Sequence, residues 1–363
     1  RNEEKSLGFC LGKIKKIIKS NKINSEIIVS DSSSDKSPQI AKNNNVILIK
    51  HNKEGYGTAY LETFKIARGK YIFMADPDCT YDFNEIPRFL RELKNGNDFV
   101  IGNRFAGNME EGAMPCLHKK IGNPLFSFLF WLFFRIKIND PHCGMRAIKK
   151  SSLLSLNLNT TGMEFASEMV IKSVKNKLKI KELPIDYKKR VGKSKLRSFS
   201  DGWKHLRFLL LYAPFFLFFV PGFFLLLSGI SSFFFFYFGP QNIFGLRFYF
   251  HPMFFSLILI FIGYQLLIFG LFAKTYALLH LEEKNDFLNK LFKYFTIEKT
   301  AGIGALTFII GVIIYFYILF KWFFSGFGEL NEAKNFLLGL ALITIGIQTF
   351  FSSFILSIIG IKK

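Results

Sequence analysis

The sequence has few cysteines and few acidic residues. Its four cysteines, Cys10, Cys79, Cys116 and Cys143, form no CxxC pair. This argues against a disulfide framework or a zinc site and favours reduced thiols facing the cytosol. Only 27 Asp and Glu stand against 48 Lys and Arg, for a formal charge of +21. Such an excess favours nucleic acid or an anionic membrane surface as a partner.

The membrane is the better supported of these two partners. Residues 1–205 contain no basic stripe interleaved with aromatic side chains, so we predict no nucleic-acid partner. From about Leu206 onward Phe, Leu and Ile dominate, and basic residues flank the apolar runs. The chain starts at Arg1 without a Met, a signal peptide or a leading apolar strand. We therefore expect that a short N-terminal piece precedes it.

Charge is absent from four long apolar segments. None of them contains Asp, Glu, Lys or Arg: Pro214–Phe238, Met253–Ala273, Ala301–Phe320 and Phe336–Ile361. About 20 apolar residues cross the roughly 30 Å of a bilayer core. Residues 214–363 therefore predict a transmembrane domain with four spans, because four such runs in succession argue against ordinary buried helices.

The distribution of Lys and Arg predicts the orientation of these spans. The connection between the second and third spans carries five lysines: Lys274, Lys284, Lys290, Lys293 and Lys299. The chain ends in Lys362 and Lys363, whereas the other two connections carry only Arg247 and the pair Lys321 and Lys334. We predict that the N-terminal domain, the middle connection and the C-terminus face the cytosol.

Residues 196–213 form a candidate interfacial helix. Apolar side chains recur every three or four residues, at Leu196, Phe199, Trp203, Leu206 and Leu210. Between them lie Arg197, Lys204, His205 and Arg207. This pattern predicts a helix in the membrane interface with its basic face towards lipid headgroups. The alternative is a surface helix of the soluble domain.

Residues 1–195 alternate between predicted strands and helices. The strands are Glu26–Ser30, Val46–Lys50, Lys70–Ala75 and the segment that begins at Asp98–Ile101. Short connections between them predict a doubly wound α/β domain with a mostly parallel sheet. Ligands of such sheets bind beyond the carboxyl ends of the strands. Two of those ends carry Asp31 and the Asp76-Pro77-Asp78 segment.

Asp76 and Asp78 are candidate metal ligands. Two carboxylates two residues apart after a buried strand can hold Mg²⁺ or Mn²⁺, which also binds a substrate diphosphate. The alternative is a turn that caps the next helix, and nearby Asp82 could either support the metal ligands or cap that helix. Asp31 and Asp35 likewise suit either a nucleoside contact or a turn; we expect Asp31 to face ligand and Asp35 to shape the loop.

Several further motifs follow in a fixed order. They are Asn2-Glu3-Glu4, Asp31-Ser-Ser-Ser-Asp35, Gly55-Tyr56-Gly57, Asp76-Pro77-Asp78, Gly102-Asn103-Arg104, Asp140-Pro-His-Cys-Gly-Met-Arg146, Glu164-Phe-Ala-Ser-Glu168 and Arg190-Val-Gly-Lys-Ser-Lys195. In this order they resemble family 2 glycosyltransferases of the dolichyl-phosphate mannose or polyprenyl-phosphate glucose synthase type. The resemblance covers the whole soluble half. The four-span tail resembles the dolichol-phosphate-glucose synthetase-like subgroup.

The resemblance implies a GT-A fold and a reaction. Such enzymes transfer a hexose from a UDP- or GDP-linked donor to a polyisoprenyl phosphate on the cytosolic face. By position, Asp76 and Asp78 would bind the metal, and Asp78 and Arg146 would serve catalysis at the sugar and acceptor site. The donor would contact Asn2, Glu3, Asp31, Asp35, Gly55, Gly57 and Asp76. The lipid phosphate would contact Arg104, Arg190, Lys193, Ser194 and Lys195. The alternative for residues 190–197 is a basic anchor held by anionic lipids, and we expect that role for Arg197.

Some residues depart from the family pattern or allow two roles. The usual Asp-Ala-Asp is Asp-Pro-Asp here, and Thr80 stands where related synthases often have Gln. Glu168, like Glu164, could be a general base or lie on a solvated helix face. His142 is expected to pack rather than to bind metal.

The sequence also allows other functions. A processive polysaccharide synthase would carry a QxxRW motif, which is missing. A non-catalytic nucleotide-sugar-binding membrane protein is the third alternative. The expected partners are the nucleotide sugar, the lipid phosphate and membrane lipids, and a homo-oligomer is left open.

Overall fold

The computed structural model describes residues 1–192, 198–280 and 297–360. They belong to two compact units, Arg1–Tyr212 and Ala213–Lys363. The sequence predicted boundaries at residues 195 and 213, with a separate helix between them. In the structure this helix belongs to the N-terminal unit.

The first unit alternates helices and strands. In chain order they are α1 (Glu4–Ser20), β1 (Ile28–Asp31), α2 (Ser37–Asn43), β2 (Ile47–Lys50), α3 (Tyr56–Ile66), β3 (Tyr71–Met74), α4 (Ile86–Lys94), β4 (Phe99–Asn103), α5 (Asn123–Phe134), β5 (Arg146–Lys149), α6 (Lys150–Ser155), α7 (Phe165–Lys175), β6 (Ile180–Pro184) and α8 (Ser198–Tyr212). The predicted α/β fold class is confirmed, because apolar strands alternate with helices as their sequence patterns require.

The strands of this unit form two sheets in the part of the chain that is described. β1 pairs with β2 in parallel, and a four-stranded sheet has the order β3-β5-β4-β6. β4 and β6 are parallel, but β5 runs antiparallel to both β3 and β4. The prediction of a mostly parallel sheet is therefore wrong for the larger sheet.

The direction of β5 places a loop beside the predicted site. The first residue of β5, Arg146, pairs with Met74, the last residue of β3. Residues 140–145 therefore lie at the carboxyl end of β3, where the Asp76-Pro77-Asp78 segment begins. The core beneath is apolar and includes the fully buried Phe89, Phe99 and Phe165, which stabilise the sheet by removing large aromatic surfaces from water.

The α8 helix packs one face on this core. Leu209 and His205 are buried, and Phe208 and Tyr212 also contact the core, whereas Trp203 is exposed. The prediction that His205 lies on an outward basic face is wrong. Its ring is fixed by an inward hydrogen bond to Ser167 (2.8 Å), which a helical periodicity of apolar residues alone does not reveal.

The second unit is built from long apolar helices. They are α9 (Val220–Tyr237), α10 (Pro252–His280), α11 (Ile297–Phe324) and α12 (Ala333–Gly360), with a hairpin of β7 (Gln241–Ile243) and β8 (Leu246–Phe248) after α9. Four segments are long and apolar enough to cross a membrane: Phe215–Tyr237, Pro252–Tyr276, Glu298–Phe324 and Ala333–Ile359. The prediction of four spans is confirmed. Lys284, Lys290, Lys293, Lys362 and Lys363 lie outside the described residues.

Candidate active site

Asp78 lies at the centre of a set of polar contacts after β3. Its carboxylate is buried, and Oδ1 accepts hydrogen bonds from Thr80 N–H (3.2 Å) and Thr80 Oγ1 (2.6 Å). Its other oxygen, Oδ2, lies 3.1 Å from Arg190 Nη1. A buried carboxylate without hydrogen-bond or ion-pair partners costs free energy. Thr80 therefore orients Asp78, a role that was not predicted for it.

Arg190 joins two predicted site residues that are far apart in sequence. Besides Asp78, its guanidinium forms an ion pair with Glu3 through Nη2. Its Nε is buried and has no hydrogen-bond partner among the residues that the structure describes. One cation thus holds two carboxylates together, one at the start of α1 and one after β3.

The backbone around Arg190 is also tied to the Asp78 loop. Lys188 N–H donates to Thr80 O (2.9 Å), and Val191 N–H donates to Asp78 O (3.1 Å). Tyr187 and Tyr81 form an isolated bridge, and their rings are in contact. The start of the Arg190–Lys195 motif therefore runs along the loop that carries the paired carboxylates.

Asp76 is partly buried beside the 140–145 loop. Burial, followed by the charge of Asp78, raises the pKa of Asp76 to about 7. A Cβ atom on Gly144 would lie 2.5 Å from Asp76 Oδ2, so only glycine allows the two segments to come this close. Gly144 N–H also donates to Tyr81 Oη (2.8 Å). Neither Gly144 nor Tyr81 was predicted; the Cys-Gly-Met-Arg segment contained the signal for the first.

The N-terminal residues contact the Asp31–Asp35 loop. Asn2 N–H donates to Ser33 Oγ (2.6 Å), and Ser34 N–H donates to Asn2 Oδ1 (3.1 Å). Asp31 is buried and accepts from Ser33 N–H (3.1 Å). The structure therefore brings Asn2 and Asp31 to one loop at the end of β1.

Asp35 shapes the loop after β1, and its contact with the donor stays a prediction. It accepts from Glu4 N–H (3.1 Å) and from Ser37 N–H (2.9 Å). It thereby bonds N–H groups in the first turns of α1 and α2, which have no partners within their own helices. Both of its carboxylate oxygens are used in these contacts.

Gly55 and Gly57 allow α3 to begin against the 160–162 segment. Gly57 N–H donates to Gly162 O (3.2 Å), and a Cβ on Gly57 would lie 2.2 Å from Thr160 O. Gly55 has a φ of 135°, which other residues rarely adopt. The structure thus gives both glycines a packing role, and their contact with a donor stays a prediction.

Arg104 is engaged inside the protein. Its Nε and Nη2 each lie 2.7 Å from one oxygen of the buried Asp140 carboxylate, and its guanidinium stacks over Tyr187. This bidentate pair uses the planar geometry that would otherwise bind a phosphate. The predicted phosphate role of Arg104 is therefore corrected to an ion pair that anchors the 140–145 loop.

Arg146 is likewise a positioning residue. It is 2% exposed, and its three nitrogens donate to Cys143 O (2.7 Å), Ala166 O (2.9 Å) and Pro141 O (2.7 Å). The predicted direct role at the sugar and acceptor is corrected because no donor nitrogen is left facing solvent. Arg146 instead fixes the 140–145 loop to the start of α7.

Glu168 binds the loop before α7. It is 1% exposed, accepts from the N–H groups of Asn159 and Thr160, and pairs with Lys172 (2.7 Å). Burial opposes its ionisation, but the hydrogen bonds from Lys172 and Thr160 lower its pKa. Glu168 is therefore neither a poised base nor on a solvated face. The buried Oε2 of Glu164 has no partner among the residues described.

His142 packs, as expected, and belongs to a chain of three side chains. Its Nε2 lies 3.1 Å from Ser167 Oγ, which lies 2.8 Å from His205 Nδ1. Burial lowers the pKa of His142 well below its usual range and that of His205 to about 4. Because both rings are neutral, each can form a hydrogen bond with the Ser167 hydroxyl, one ring as donor and the other as acceptor. This contact connects the 140–145 loop to α8.

Comparison with known proteins identifies the family. The glycosyl transferase family 2 model matches residues 1–156, and that of the glycosyltransferase family 2 C-terminal transmembrane region matches residues 271–360. The low-salt glycan biosynthesis hexosyltransferase Agl6 of Haloferax volcanii is 36% identical over 360 residues, which cover 99% of this chain and 87% of that protein. The chain belongs to glycosyltransferase family 2. It is a membrane glycosyltransferase.

Other similar proteins cover mainly the N-terminal unit. A dolichyl-phosphate hexose transferase of Haloferax volcanii is 30% identical over 55% of this chain and 85% of that protein. A dolichol-phosphate mannosyltransferase of Pyrococcus furiosus is 28% identical over 48% of this chain and 51% of that protein. The solved glucosyl-3-phosphoglycerate synthase of Mycobacterium tuberculosis with phosphoglyceric acid has a TM-score of 0.48 at 15% identity, covering 58% of this chain and 76% of that one.

The transferase has two carboxylates that fit a divalent cation. No group of three or more His, Cys, Asp and Glu side chains converges within the described ranges. Asp76 and Asp78 nevertheless suit Mg²⁺ or Mn²⁺, because such ions take one or two protein carboxylates and complete their shell with water and substrate phosphate. The Arg190 guanidinium already pairs with Asp78, so such an ion would have to compete with it or bind beside it.

Three predicted residues of the transferase cannot be placed. Lys193, Ser194 and Lys195 lie outside the described residues, so their contact with a lipid phosphate stays a prediction. Of the predicted set, the structure brings Glu3, Asp78 and Arg190 into direct contact and leaves Asp76 beside Gly144.

Proposed function

We propose that this glycosyltransferase transfers a hexose from a UDP- or GDP-linked donor to a polyisoprenyl phosphate, with Mg²⁺ or Mn²⁺ and with inversion at the anomeric carbon. The observation that carries the proposal is the bonding of residues 187–191 to the Asp78 loop. In sequence, this segment leads to α8 and the first span. The segment that precedes α8 in sequence is thus bonded to the loop of the paired carboxylates.

The similar proteins support the choice of acceptor. Two of them are named as dolichyl-phosphate or dolichol-phosphate transferases, and four segments of this chain are long and apolar enough to lie in the same membrane as such a lipid. Agl6, which matches the chain almost end to end, is named a hexosyltransferase. A membrane-dissolved phosphate is therefore the acceptor that best fits both the architecture and the relatives.

In the proposed reaction, Asp76 and Asp78 hold the cation and Glu3 and Asp31 face the nucleoside. The bound cation supplies stabilisation of charge on the departing nucleoside diphosphate. Thr80 keeps the Asp78 carboxylate in one orientation, and Gly144 keeps the 140–145 loop against Asp76. Such preorganisation lowers the cost of positioning at the moment of transfer.

The acceptor needs no dedicated base in this scheme. A phosphate monoester has a second pKa of about 6 and is mostly ionised at neutral pH. Its oxygen attacks the anomeric carbon, and the bond to the donor diphosphate breaks on the opposite side. Arg190 with Lys193, Ser194 and Lys195 would position the phosphate. The burial of Glu168 fits a reaction without a carboxylate base.

We further propose that the N-terminal unit and the C-terminus face the cytosol. The excess of lysine between the second and third spans and at the C-terminus supports this orientation. Nucleotide sugars made in the cytosol would then reach the donor site directly. Accessibility of Cys116, the exposed cysteine, to an impermeant maleimide in sealed inside-out and right-side-out vesicles tests the orientation.

One assay tests the proposed reaction. The purified full chain is incubated with labelled UDP- and GDP-sugars, polyprenyl phosphate and Mg²⁺ or Mn²⁺, and label in the lipid phase is measured. We expect transfer from one or a few donors. Label in a lipid-free polymer would instead indicate a processive synthase. Metal-dependent donor binding without turnover would indicate a non-catalytic binding protein.

A further inference from the structure

Two cysteines lie side by side next to the paired carboxylates. Cys10 belongs to α1 and Cys79 follows Asp78 directly, 69 positions further along the chain, yet their sulfur atoms are 3.5 Å apart. All four cysteines are free thiols, and Cys116 and Cys143 take no part in this contact. The S–S bond of a disulfide is about 2.05 Å long, so the two sulfurs would have to approach by roughly 1.5 Å to be joined. We call Cys10 and Cys79 the thiol pair.

The two thiols differ in their exposure. Cys10 is 1% exposed and packs in an apolar cluster with Ile17 and Phe83. Cys79 lies against the same cluster and is only half-buried. Oxidation of a cysteine depends on the access of the oxidant to its sulfur. A dissolved oxidant therefore reaches Cys79 first and leaves Cys10 as the thiol that reacts with the oxidised sulfur.

The backbone at Cys79 is held in an unfavourable conformation. Its φ is 66°, in the left-handed region where the Cβ of a residue other than glycine crowds the following carbonyl. The residues on either side both bond to the segment before α8: Val191 N–H donates to Asp78 O (3.1 Å), and Lys188 N–H donates to Thr80 O (2.9 Å). These two bonds hold Cys79 against its own conformational preference, so a pull on its sulfur acts directly on Asp78 and Thr80.

Contacts on the other side of the thiol pair complete a closed ring. Cys10 lies on α1, which begins directly after Glu3. Glu3 pairs with Arg190, Arg190 pairs with Asp78, and Asp78 precedes Cys79. The contact between the two sulfurs therefore closes a ring that already includes both ion pairs. Because Cys10 is buried on a regular helix, the loop at Cys79 is the part of this ring that moves when the sulfurs are joined.

We propose that hydrogen peroxide joins Cys10 and Cys79 in a disulfide, and that this bond draws the Asp78 loop away from residues 187–191. The consequence for the metal rests on the proposed function: a displaced Asp78 no longer binds the cation, and transfer stops until a dithiol reduces the bond. The thiol pair is thus a redox switch beside the candidate active site, which is active when the pair is reduced.

The oxidation proceeds in two steps. The sulfur of Cys79 attacks one peroxide oxygen, the O–O bond breaks, and the other oxygen leaves with the thiol proton as water, so that Cys79 becomes a sulfenic acid. The sulfur of Cys10 then attacks that of Cys79, the S–O bond breaks, and the hydroxyl leaves with the Cys10 proton as a second water. The two thiols lose two electrons in total, and the peroxide gains them.

Oxidation of the full-length protein tests this switch. All proteins carry Cys116→Ser, so that no bond forms between chains through this exposed residue. After treatment with hydrogen peroxide and its removal, one portion is alkylated for peptide mass spectrometry. The rest is used for hydrogen exchange and for Mn²⁺ binding by electron paramagnetic resonance. Cys10→Ala is the matched control, and Cys79→Ser is a second one in case the loss of Cys10 disturbs its apolar cluster. Each protein is compared with its own form reduced by a phosphine.

Three changes are expected on oxidation of the thiol pair. Peroxide should join the peptides of Cys10 and Cys79 and should speed amide exchange in residues 187–191 at least tenfold, with residues 99–103 of β4 unchanged. Mn²⁺ binding should weaken at least tenfold. The phosphine should reverse all three changes, and neither control should show them. Absence of the disulfide, or a disulfide that leaves exchange in residues 187–191 unchanged, would overturn the proposal.

A failure of the proposed function has a different signature. If the reduced protein binds no Mn²⁺ while oxidation still joins the thiol pair and speeds exchange in residues 187–191, the metal role of Asp78 is wrong and the redox movement stands. If the reduced protein binds Mn²⁺ and the disulfide form binds it equally well, the switch is wrong and the metal role stands.

Discussion

Arg190 Nη1 lies 3.1 Å from Asp78 Oδ2, and the same guanidinium pairs with Glu3. A protein cation therefore shares the carboxylate that is proposed to hold the metal. A divalent ion at Asp78 has to compete with this guanidinium or bind beside its charge. The strength of metal binding consequently depends on a residue of the segment that leads to the membrane.

Replacement of Arg190 by Gln should strengthen metal binding and weaken transfer. Removal of the positive charge beside Asp78 should tighten Mn²⁺ binding about tenfold, or ~1.4 kcal/mol. Free Mn²⁺ measured by electron paramagnetic resonance reads this directly. Arg88→Gln is the matched control, because Arg88 pairs with Glu85 instead. Unchanged or weaker Mn²⁺ binding in Arg190→Gln would refute competition at Asp78.

Asp78→Asn should abolish most of the hexose transfer. The amide keeps the size of the side chain but has no negative charge for the cation, so we expect a loss of about 100-fold or more, or ~3 kcal/mol of transition-state stabilisation. Asp82→Asn is the control, since the Asp82 carboxylate accepts from Asn84 N–H at the next turn. Initial rates of transfer with saturating donor are compared for the two variants. Equal rates would show that Asp78 does not take part in transfer.

Arg146→Lys should lower stability more than it alters substrate binding. Lysine cannot bond all three carbonyls that Arg146 contacts, and unpaired buried groups cost about 2–4 kcal/mol in total. Thermal unfolding should show this loss, while the KM for the donor in the folded fraction stays within about twofold. The exposed Arg91→Lys serves as the control. A large rise in KM with normal stability would instead support a direct contact between Arg146 and the sugar.

Acidification should loosen α8. Burial lowers the pKa of His205 to about 4, whereas a histidine in the unfolded chain has a pKa near 6.5. Between these values the unfolded chain binds a proton that the folded chain does not. The contribution of His205 to the free energy of unfolding is therefore fully present above pH 6.5 and falls as the pH drops towards 4, by about 3 kcal/mol at most.

Trp203 fluorescence can follow the unfolding of α8 across this pH range. With Trp131→Phe and Trp322→Phe as background, His205→Gln should have a smaller acid-induced fall in unfolding temperature. His118→Gln is the control, because His118 lies outside the contact between His142, Ser167 and His205. An unchanged fall in His205→Gln would exclude His205 as the group responsible.

Local sequence patterns predict most of the elements but not how they pair. The apolar run before Asp76 and the turn residues after it are local signals, so β3 and the paired carboxylates could be predicted. The antiparallel direction of β5 could not, because it depends on where residues 104–145 bring the chain back to the sheet. The same non-local excursion places Gly144 against Asp76.

Charged residues in motifs were harder to interpret. Arg104, Arg146 and Arg190 are all arginines in ordered motifs, and sequence does not reveal which guanidinium is covered by protein. In the structure, the guanidinium groups of Arg104 and Arg146 are bonded inside the protein, whereas that of Arg190 lies between the carboxylates of Asp78 and Glu3. The periodicity of α8 likewise did not reveal that His205 faces Ser167, since a neutral buried histidine resembles a charged surface one in sequence.

A comparison of two acceptors in one experiment tests the proposed reaction itself. Wild-type and Asp78→Asn proteins are incubated with labelled donor, Mn²⁺ and either polyprenyl phosphate or the corresponding polyprenol without phosphate. The proposed reaction requires label in the lipid phase only for wild-type protein with polyprenyl phosphate, abolished by chelator, and with the anomeric configuration inverted relative to the donor. Equal labelling of polyprenol, or full transfer by Asp78→Asn in excess chelator, would contradict it.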